Sequence, residues 1–489
     1  MTMPDKTKAP GFEPRIVAYL CTWCSYTGAD TAGIARIKSP ANVRAIRVPC
    51  SGRVSPELIM RTFDQGADGV LVLACHIGEC HYDSGNHRTA KRLPIVQSLM
   101  SLAGLEPERL RLDYVSASEG ERFARVTKEF TQTVRALGPV HWRTRPGAWE
   151  AFHRLSASPD VDLGNYPGSE TSESLDAKAT SAQNYQEYTQ VIQEKARELL
   201  ASGQVSCVIG YERGTQGRAR PAFIYNPEDA GRLIWSPECT HNLVTYVRQK
   251  LHQGNGSHKE EPPKPIAVIV KPCDSRAINV LLAENQFSRE QVHVIGVVCD
   301  GIQDAARGFN AGPVTPMEQT RQPILQSRCR ECADRVPVVY DTLIGEAPKT
   351  RSQPAPISSP ALTQIQNMPP AERLEYWLSQ FDRCIRCYAC RQACPMCDCP
   401  TCLYERDDSM WTGMGIGLNE KRAFHLGRAY HLAGRCIGCN ECERVCPMEI
   451  PISLLNMHLA QEVRQAFGYR PGLEPTPSPF VTVLGREEV

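Results

Sequence analysis

Two short cysteine runs near the carboxyl end constrain this chain more than any other feature. The first reads CIRCYACRQACP from Cys384 to Pro395, and the second reads CIGCNECERVCP from Cys436 to Pro447, about 40 residues later. Each is C-x2-C-x2-C-x3-C-P. In that spacing three thiolates wrap one iron–sulfur cluster in a tight loop, and the fourth cysteine, turned away before a proline, ligates the other cluster. The pattern groups Cys384, Cys387 and Cys390 with Cys446, and Cys436, Cys439 and Cys442 with Cys394, each set around a 4Fe–4S cubane. Zinc also takes C-x2-C pairs, but it needs four ligands per site and no crossed, proline-terminated fourth cysteine. The chemistry implied is electron transfer.

Length and charge narrow the class further. A chain of 489 residues has room for about three domains, each with its own core. A net charge of +1, with no basic run interleaved with aromatics, gives no nucleic-acid surface. No apolar stretch approaches the roughly 18 to 20 residues of a membrane span. The opening MTMPDKTKAPGFEPR has no apolar core of a secretory signal. Cysteine is abundant, at 22 residues, in groups that read as metal ligands in a reducing cytoplasm rather than as a disulfide framework.

Between residues 13 and 140 three apolar runs each end on a cysteine: IVAYLC at Cys21, VRAIRVPC at Cys50 and GVLVLAC at Cys75. A fourth run, RLRLDYVSA, follows, with helical patterns at 56–66, 89–103 and 118–137. Alternating strands and helices predict a parallel sheet, whose strands end along one ligand-binding edge. Cys21, Cys24, Cys50, Cys75 and Cys80 should gather there. A zinc site assisted by His76 or His81, or simple buried thiols, are the alternatives. The stretches CTWCSYTGADTAG, PCSGRVSPE and GADGVLVLACHIGECHYDSGN resemble the delta iron–sulfur subunit of methyl-viologen-reducing hydrogenases. That resemblance implies a 2Fe–2S carrier, held by four of the five cysteines, that passes electrons to the flavin subunit of heterodisulfide reductase.

Residues 141–182 read as a linker, with a short helix at GAWEAFHRL. A middle domain at 183–345 opens with an amphipathic helix from Ser181 and continues with the strands VSCVIGY, PAFIY, IAVIVKP, VHVIGVV and VPVVYD. The unit IAVIVKPCD, a helix near 276–287, and VHVIGVVCD place Cys273 and Cys299 just past two parallel strands. With Cys329 and Cys332 of SRCREC they suit a third 4Fe–4S cluster or a zinc, with Cys239 in reserve and Cys207 in the core. KPCDSRA, IGVVCDG and CREC resemble the beta-subunit family of deazaflavin-reducing hydrogenases and formate dehydrogenases. FAD is bound in some members of that family; no G-x-G-x-x-G follows a strand here, so no flavin residue is assigned.

A proline-rich tether is expected at 346–370, then a dicluster domain at 371–470. The helices AERLEYWLSQF, NEKRAFHLGRAYHLAG and ISLLNMHLAQEVRQAF flank the cluster loops, with His425 and His431 turned toward solvent or neighbouring side chains. After Cys394 the run PMCDCPTC adds Cys397, Cys399 and Cys402. These are either packing thiols beside a cluster or part of a further metal site that recruits a ligand from elsewhere, such as Cys239. The expected fold is therefore α/β for the first two domains, with mainly parallel sheets, and mostly α-helical, ferredoxin-like, for the third. No acid–base or nucleophile constellation stands out. The expected function is a cytoplasmic multi-cluster relay in an anaerobe, joining a hydrogenase or dehydrogenase to a heterodisulfide-reductase-like flavin subunit. The alternative is an iron–sulfur flavoprotein reductase using FAD in the middle domain.

Overall fold

Strands β1 (Ile16–Cys21), β2 (Val43–Val48), β3 (Gly69–Ala74) and β4 (Leu110–Tyr114) form an all-parallel sheet in the order β2-β1-β3-β4. The computed structural model describes residues 12–140, 182–214, 218–254, 264–302, 325–330, 332, 334–347, 359–406 and 413–480. Every residue of β3 is buried, as a strand covered on both faces requires, whereas edge strand β2 leaves Arg44 and Arg47 exposed. Helices α1 (Ser25–Ile34) and α4 (Gly120–Leu137) cover one face. Helices α2 (Pro56–Asp64) and α3 (Gly85–Leu102) cover the other. The Ser55 hydroxyl starts α2 by accepting from Leu58 N at 3.3 Å, with Pro56 in the first turn. Periodicity gave no sign of α1. Its small residues exist for close approach instead: a Cβ on Gly28 would lie 2.7 Å from the Ser116 carbonyl oxygen.

The middle sheet is mixed, in the order β6-β5-β7-β8-β9. Strands β5 (Cys207–Arg213), β7 (Ile266–Val270), β8 (Val292–Val297) and β9 (Thr342–Ile344) run parallel, and β6 (Ala219–Ile224) is an antiparallel edge strand. Helix α5 (Ala182–Ala201) leads in, and α6 (Val244–Gly254) precedes β7. Helix α7 spans Pro272–Ala283, four residues earlier than the periodicity predicts, because Pro272 is placed to open a helix. VPVVYD is not the last strand. Pro337 and Tyr340 instead pack over Gly296, and the Asp341 carboxylate accepts from Val294 N at 2.7 Å, so pairing begins only at Thr342.

The expected tether is partly helical. The Ser359 hydroxyl accepts from Leu362 N at 3.1 Å and starts α8 (Pro360–Asn367), which buries Leu362 and Ile365. Residues 348–358 of that tether and the 141–181 linker, including GAWEAFHRL, lie outside the described residues. Helices α9 (Pro370–Asp382), α10 (Leu418–His431) and α11 (Ile452–Phe467) complete the chain.

One apolar core joins the first and last domains. Phe63, Leu99 and Met100 of the first pack with Trp377, Leu426 and Leu459 of the last, all buried. At about 1.5–3 kcal/mol per buried large side chain, this interface is far stronger than a flexible connection. A second core draws Met396, Leu432, Ile437 and Cys439 into the middle sheet. The dicluster domain therefore packs against both of the others.

Candidate metal centres

The first thiol group forms because parallel strands end together. Cys21 ends β1, Cys75 follows β3, and these are the two strands between which the connections reverse direction. Their sulfurs lie 3.7 Å apart. Cys21, Cys24 and Cys75 are the only three metal-ligating atoms among the described residues within 4.8 Å of one another. Cys50, just past β2, lies 4.0 Å from Cys80 and also reaches Cys21. All five sequence-predicted cysteines converge. Hydrogen bonds from Cys21 and Cys24 hold the Cys75 thiol down to about 4, while the contacts with Cys21 and Cys75 push Cys24 well up. The histidines are engaged elsewhere: His76 Nε2 pairs with Glu119 at 2.6 Å, and His81 stacks on Trp23 at 3.7 Å.

In the middle domain, Cys273 opens α7 past β7, and Cys299 follows β8. Cys329 lies in a helical turn at Ser327–Arg330, with Cys332 just beyond. These four thiols sense one another electrostatically, and burial pushes Cys299 up to about 12. A thiol set of this kind is chemically suited to a cation that displaces its protons. Cys239 packs in the core, accepting from Ser236 N at 3.3 Å and lying near Lys271. Cys207 is core within β5. The β7–α7 turn is occupied by a side chain of the chain itself. Lys271, 1% exposed, fills it by pairing with Asp274 at 2.8 Å and donating to Tyr211 Oη at 2.5 Å and His241 O at 2.6 Å.

The two dicluster loops are built alike. Arg386 and Tyr388 in the first, and Gly438 and Asn440 in the second, hold left-handed backbone at matching positions, which curls each C-x2-C-x2-C run around a centre. Arg386 adopts this conformation because its guanidinium bonds the carbonyls of Gly413 and Gly415, both at 2.7 Å, and Tyr404 at 2.9 Å. One cavity is lined by Cys384, Cys387, Cys390 and Cys446, together with Phe424 and His425. Burial and nearby cations lower His425 to about 3, so it is a neutral imidazole whose two nitrogens lack partners. Such an orphaned N–H against a thiol-lined cavity fits a sulfur acceptor. Cys436, Cys439 and Cys442 sense one another, and Cys394 lies near Cys439 and Cys397.

Three arginines that the cysteine spacing gave no reason to single out surround these groups. Arg428, 3% exposed, donates to Cys390 O at 2.9 Å and lies among Cys390, Cys394, Cys397 and Cys442. Arg276 donates to Ile437 O at 3.2 Å and to Pro471 O at 2.8 Å, tying the middle domain to the second loop. Arg328 lies near Cys273 and Cys329 of the middle group and Cys439 of the dicluster. KPCDSRA contained Lys271, Asp274 and Arg276, but only its cysteine matched a metal-binding pattern.

A model of the methyl-viologen-reducing hydrogenase delta subunit matches residues 16–138, and a 4Fe–4S dicluster model matches residues 380–450. An F420-non-reducing hydrogenase iron–sulfur subunit from Archaeoglobus profundus is 49% identical over 128 residues, which is 26% of this chain and 93% of that protein. The chain belongs to the methyl-viologen-reducing hydrogenase delta-subunit family. The corresponding vhc iron–sulfur subunit from Methanococcus voltae is 42% identical over 139 residues, 28% of this chain and 96% of that one. A ferredoxin/F420H2-dependent CoB–CoM heterodisulfide reductase from Methanosarcina acetivorans contributes a larger relative. One of its subunits is 47% identical over 127 residues, 26% of this chain but only 16% of that protein. The delta-subunit domain and the dicluster make this an iron–sulfur electron-transfer protein. Among the described residues no helix is long and apolar enough to cross a membrane.

Proposed function

We propose that the chain is a multi-cluster subunit relaying electrons between a hydrogenase or dehydrogenase and a heterodisulfide-reductase-like flavin subunit. One observation carries the reading: the delta-subunit domain resembles both hydrogenase iron–sulfur subunits and part of a heterodisulfide reductase chain. A domain common to both enzymes suits the junction between them. Four of Cys21, Cys24, Cys50, Cys75 and Cys80 would hold a 2Fe–2S cluster. Cys273, Cys299, Cys329 and Cys332 would hold a 4Fe–4S cluster, and the two crossed sets of the dicluster would hold two more.

Bound clusters supply one-electron chemistry; the chain itself holds, buries and biases them. Arg428, Arg276 and Arg328 set positive charge beside thiol groups, which favours the more negative, reduced state. Packing of the second dicluster loop into the middle-domain core supports direct exchange between neighbouring centres.

Anaerobically purified or reconstituted protein should contain at least about 14 irons per chain, from three 4Fe–4S clusters and one 2Fe–2S cluster. Hydrogen supplied through a hydrogenase should bleach its visible colour, and an added flavin subunit should restore it. An iron content near eight would remove both outer centres, and a colourless zinc protein would end the relay reading.

A further inference from the structure

The geometry points to a further metal site, formed by Cys397, Cys399, Cys402 and His431, that takes an iron–sulfur cluster where the delta-subunit domain meets the dicluster. It rests on the iron–sulfur reading above but uses none of the ligands assigned there. In sequence the three thiols form C-x-C-x2-C, directly after the first dicluster motif and outside its pattern. Three thiolates leave a fourth position open. In the fold all three line one cavity, and His431 at the end of α10 lines it too. Cys239, the reserve considered from sequence, is buried in the middle-domain core instead.

His431 is paired with a carboxylate from another domain. Its Nε2 lies 2.6 Å from Glu57 Oε1, and the Glu57 side chain is only 5% exposed. The contact is an ion pair and not a formed hydrogen bond, since Glu57 Oε1 has no hydrogen-bond partner, and it engages one of the two ring nitrogens. Glu57 belongs to the first turn of α2, so the delta-subunit domain itself orients this residue.

The thiol loop is clamped along its length. Arg391 donates to Cys399 O at 2.8 Å, Arg248 bonds Asp398 O, and Arg435 reaches the Asp398 carboxylate at 3.1 Å. Three guanidiniums from separate elements hold the C-D-C turn, of which Cys399 alone is exposed, and this exceeds what packing thiols require. Arg428 also lines the cavity, and its Nε and Nη1 have no hydrogen-bond partner, a buried cationic surface that suits an anionic cluster. The four side chains are not gathered as a single ion would gather them. Tetrahedral zinc, with Zn–S of about 2.3 Å, holds its sulfurs roughly 3.8 Å apart. No three of these four ligands lie within 4.8 Å of one another, the property found only at Cys21, Cys24 and Cys75 among the described residues.

The test is iron and acid-labile sulfide analysis of the full chain, with electron paramagnetic resonance of each centre. Dicluster signals are assigned beforehand with Cys387→Ala and Cys439→Ala. Wild type should hold about 18 irons, and Cys399→Ala combined with Cys402→Ala should lose about four while both dicluster signals persist. Glu57→Gln, which leaves every ligand in place, should weaken retention of those irons against a chelator by about 10- to 100-fold. His431→Cys should keep the iron with an altered spectrum. Unchanged iron in the double variant overturns the site, as does one zinc in place of the four irons. Loss of the signal assigned through Cys439 in Cys397→Ala also overturns it, because that thiol would then belong to the dicluster. Absence of the dicluster signals from wild type itself would instead end the relay reading.

Discussion

Cys394 and Cys446 carry the sharpest consequence of the dicluster spacing, because each is proposed to serve the loop it does not belong to. Cys446 lines the cavity of Cys384, Cys387 and Cys390, 56 positions beyond the last of them by numbering. Cys394→Ala should therefore erase the cluster held by Cys436, Cys439 and Cys442, and Cys446→Ala should erase the other. Resonance spectra of the two variants, beside Cys387→Ala and Cys439→Ala, decide the matter. If Cys394→Ala and Cys387→Ala remove the same signal, each motif closes its own cluster. The convergence of Cys384, Cys387, Cys390 and Cys446 on one cavity was legible from spacing alone. His425 was not, because its burial against that cavity depends on Phe381 stacking on its ring at 5.0 Å from another helix.

At the scale of elements, strand ends and helix starts decide where thiols meet. Helix α3 begins at Gly85 directly beneath the Cys50–Cys80 pair. A Cβ there would sit 2.2 Å from Cys50 Sγ and 3.3 Å from Cys80 Sγ. Gly85→Ala should displace both thiols, lower iron occupancy of the delta-subunit domain and destabilise the fold by about 1–3 kcal/mol. The dicluster signals should be unchanged. Iron analysis with denaturant unfolding checks this, and full occupancy at wild-type stability would show that α3 does not shape the site. The runs IVAYLC and GVLVLAC announced their strands because buried parallel strands are continuously apolar. Helix α1 and the true position of β9 stayed hidden, since close backbone approach and local packing of Pro337 leave no periodic signature.

Across the whole molecule, a buried ion pair joins the first domain to the last. Arg422 of α10 and Asp64 of α2 are in contact, each side chain 2% exposed. Arg422→Met removes the cation of this buried pair and should cost about 3–5 kcal/mol, measured by denaturant unfolding. Asp64→Asn added to Arg422→Met should recover part of that loss by neutralising the buried carboxylate. Equal stability of wild type and Arg422→Met would mean that the two domains are not held together here.

Covalent spacing determined the cluster motifs, because a C-x2-C-x2-C loop can wrap a centre wherever the rest of the chain lies. The apolar runs likewise determined the parallel strands, and strand direction then brought Cys21, Cys50 and Cys75 to one edge. Only the tertiary structure decided how the centres neighbour one another. Arg276 meets the carbonyl of Ile437 across 161 residues, and His431 meets Glu57 of another domain. Contacts of that kind arise from the packing of finished elements, and no local pattern of polarity or spacing encodes a partner so distant along the chain.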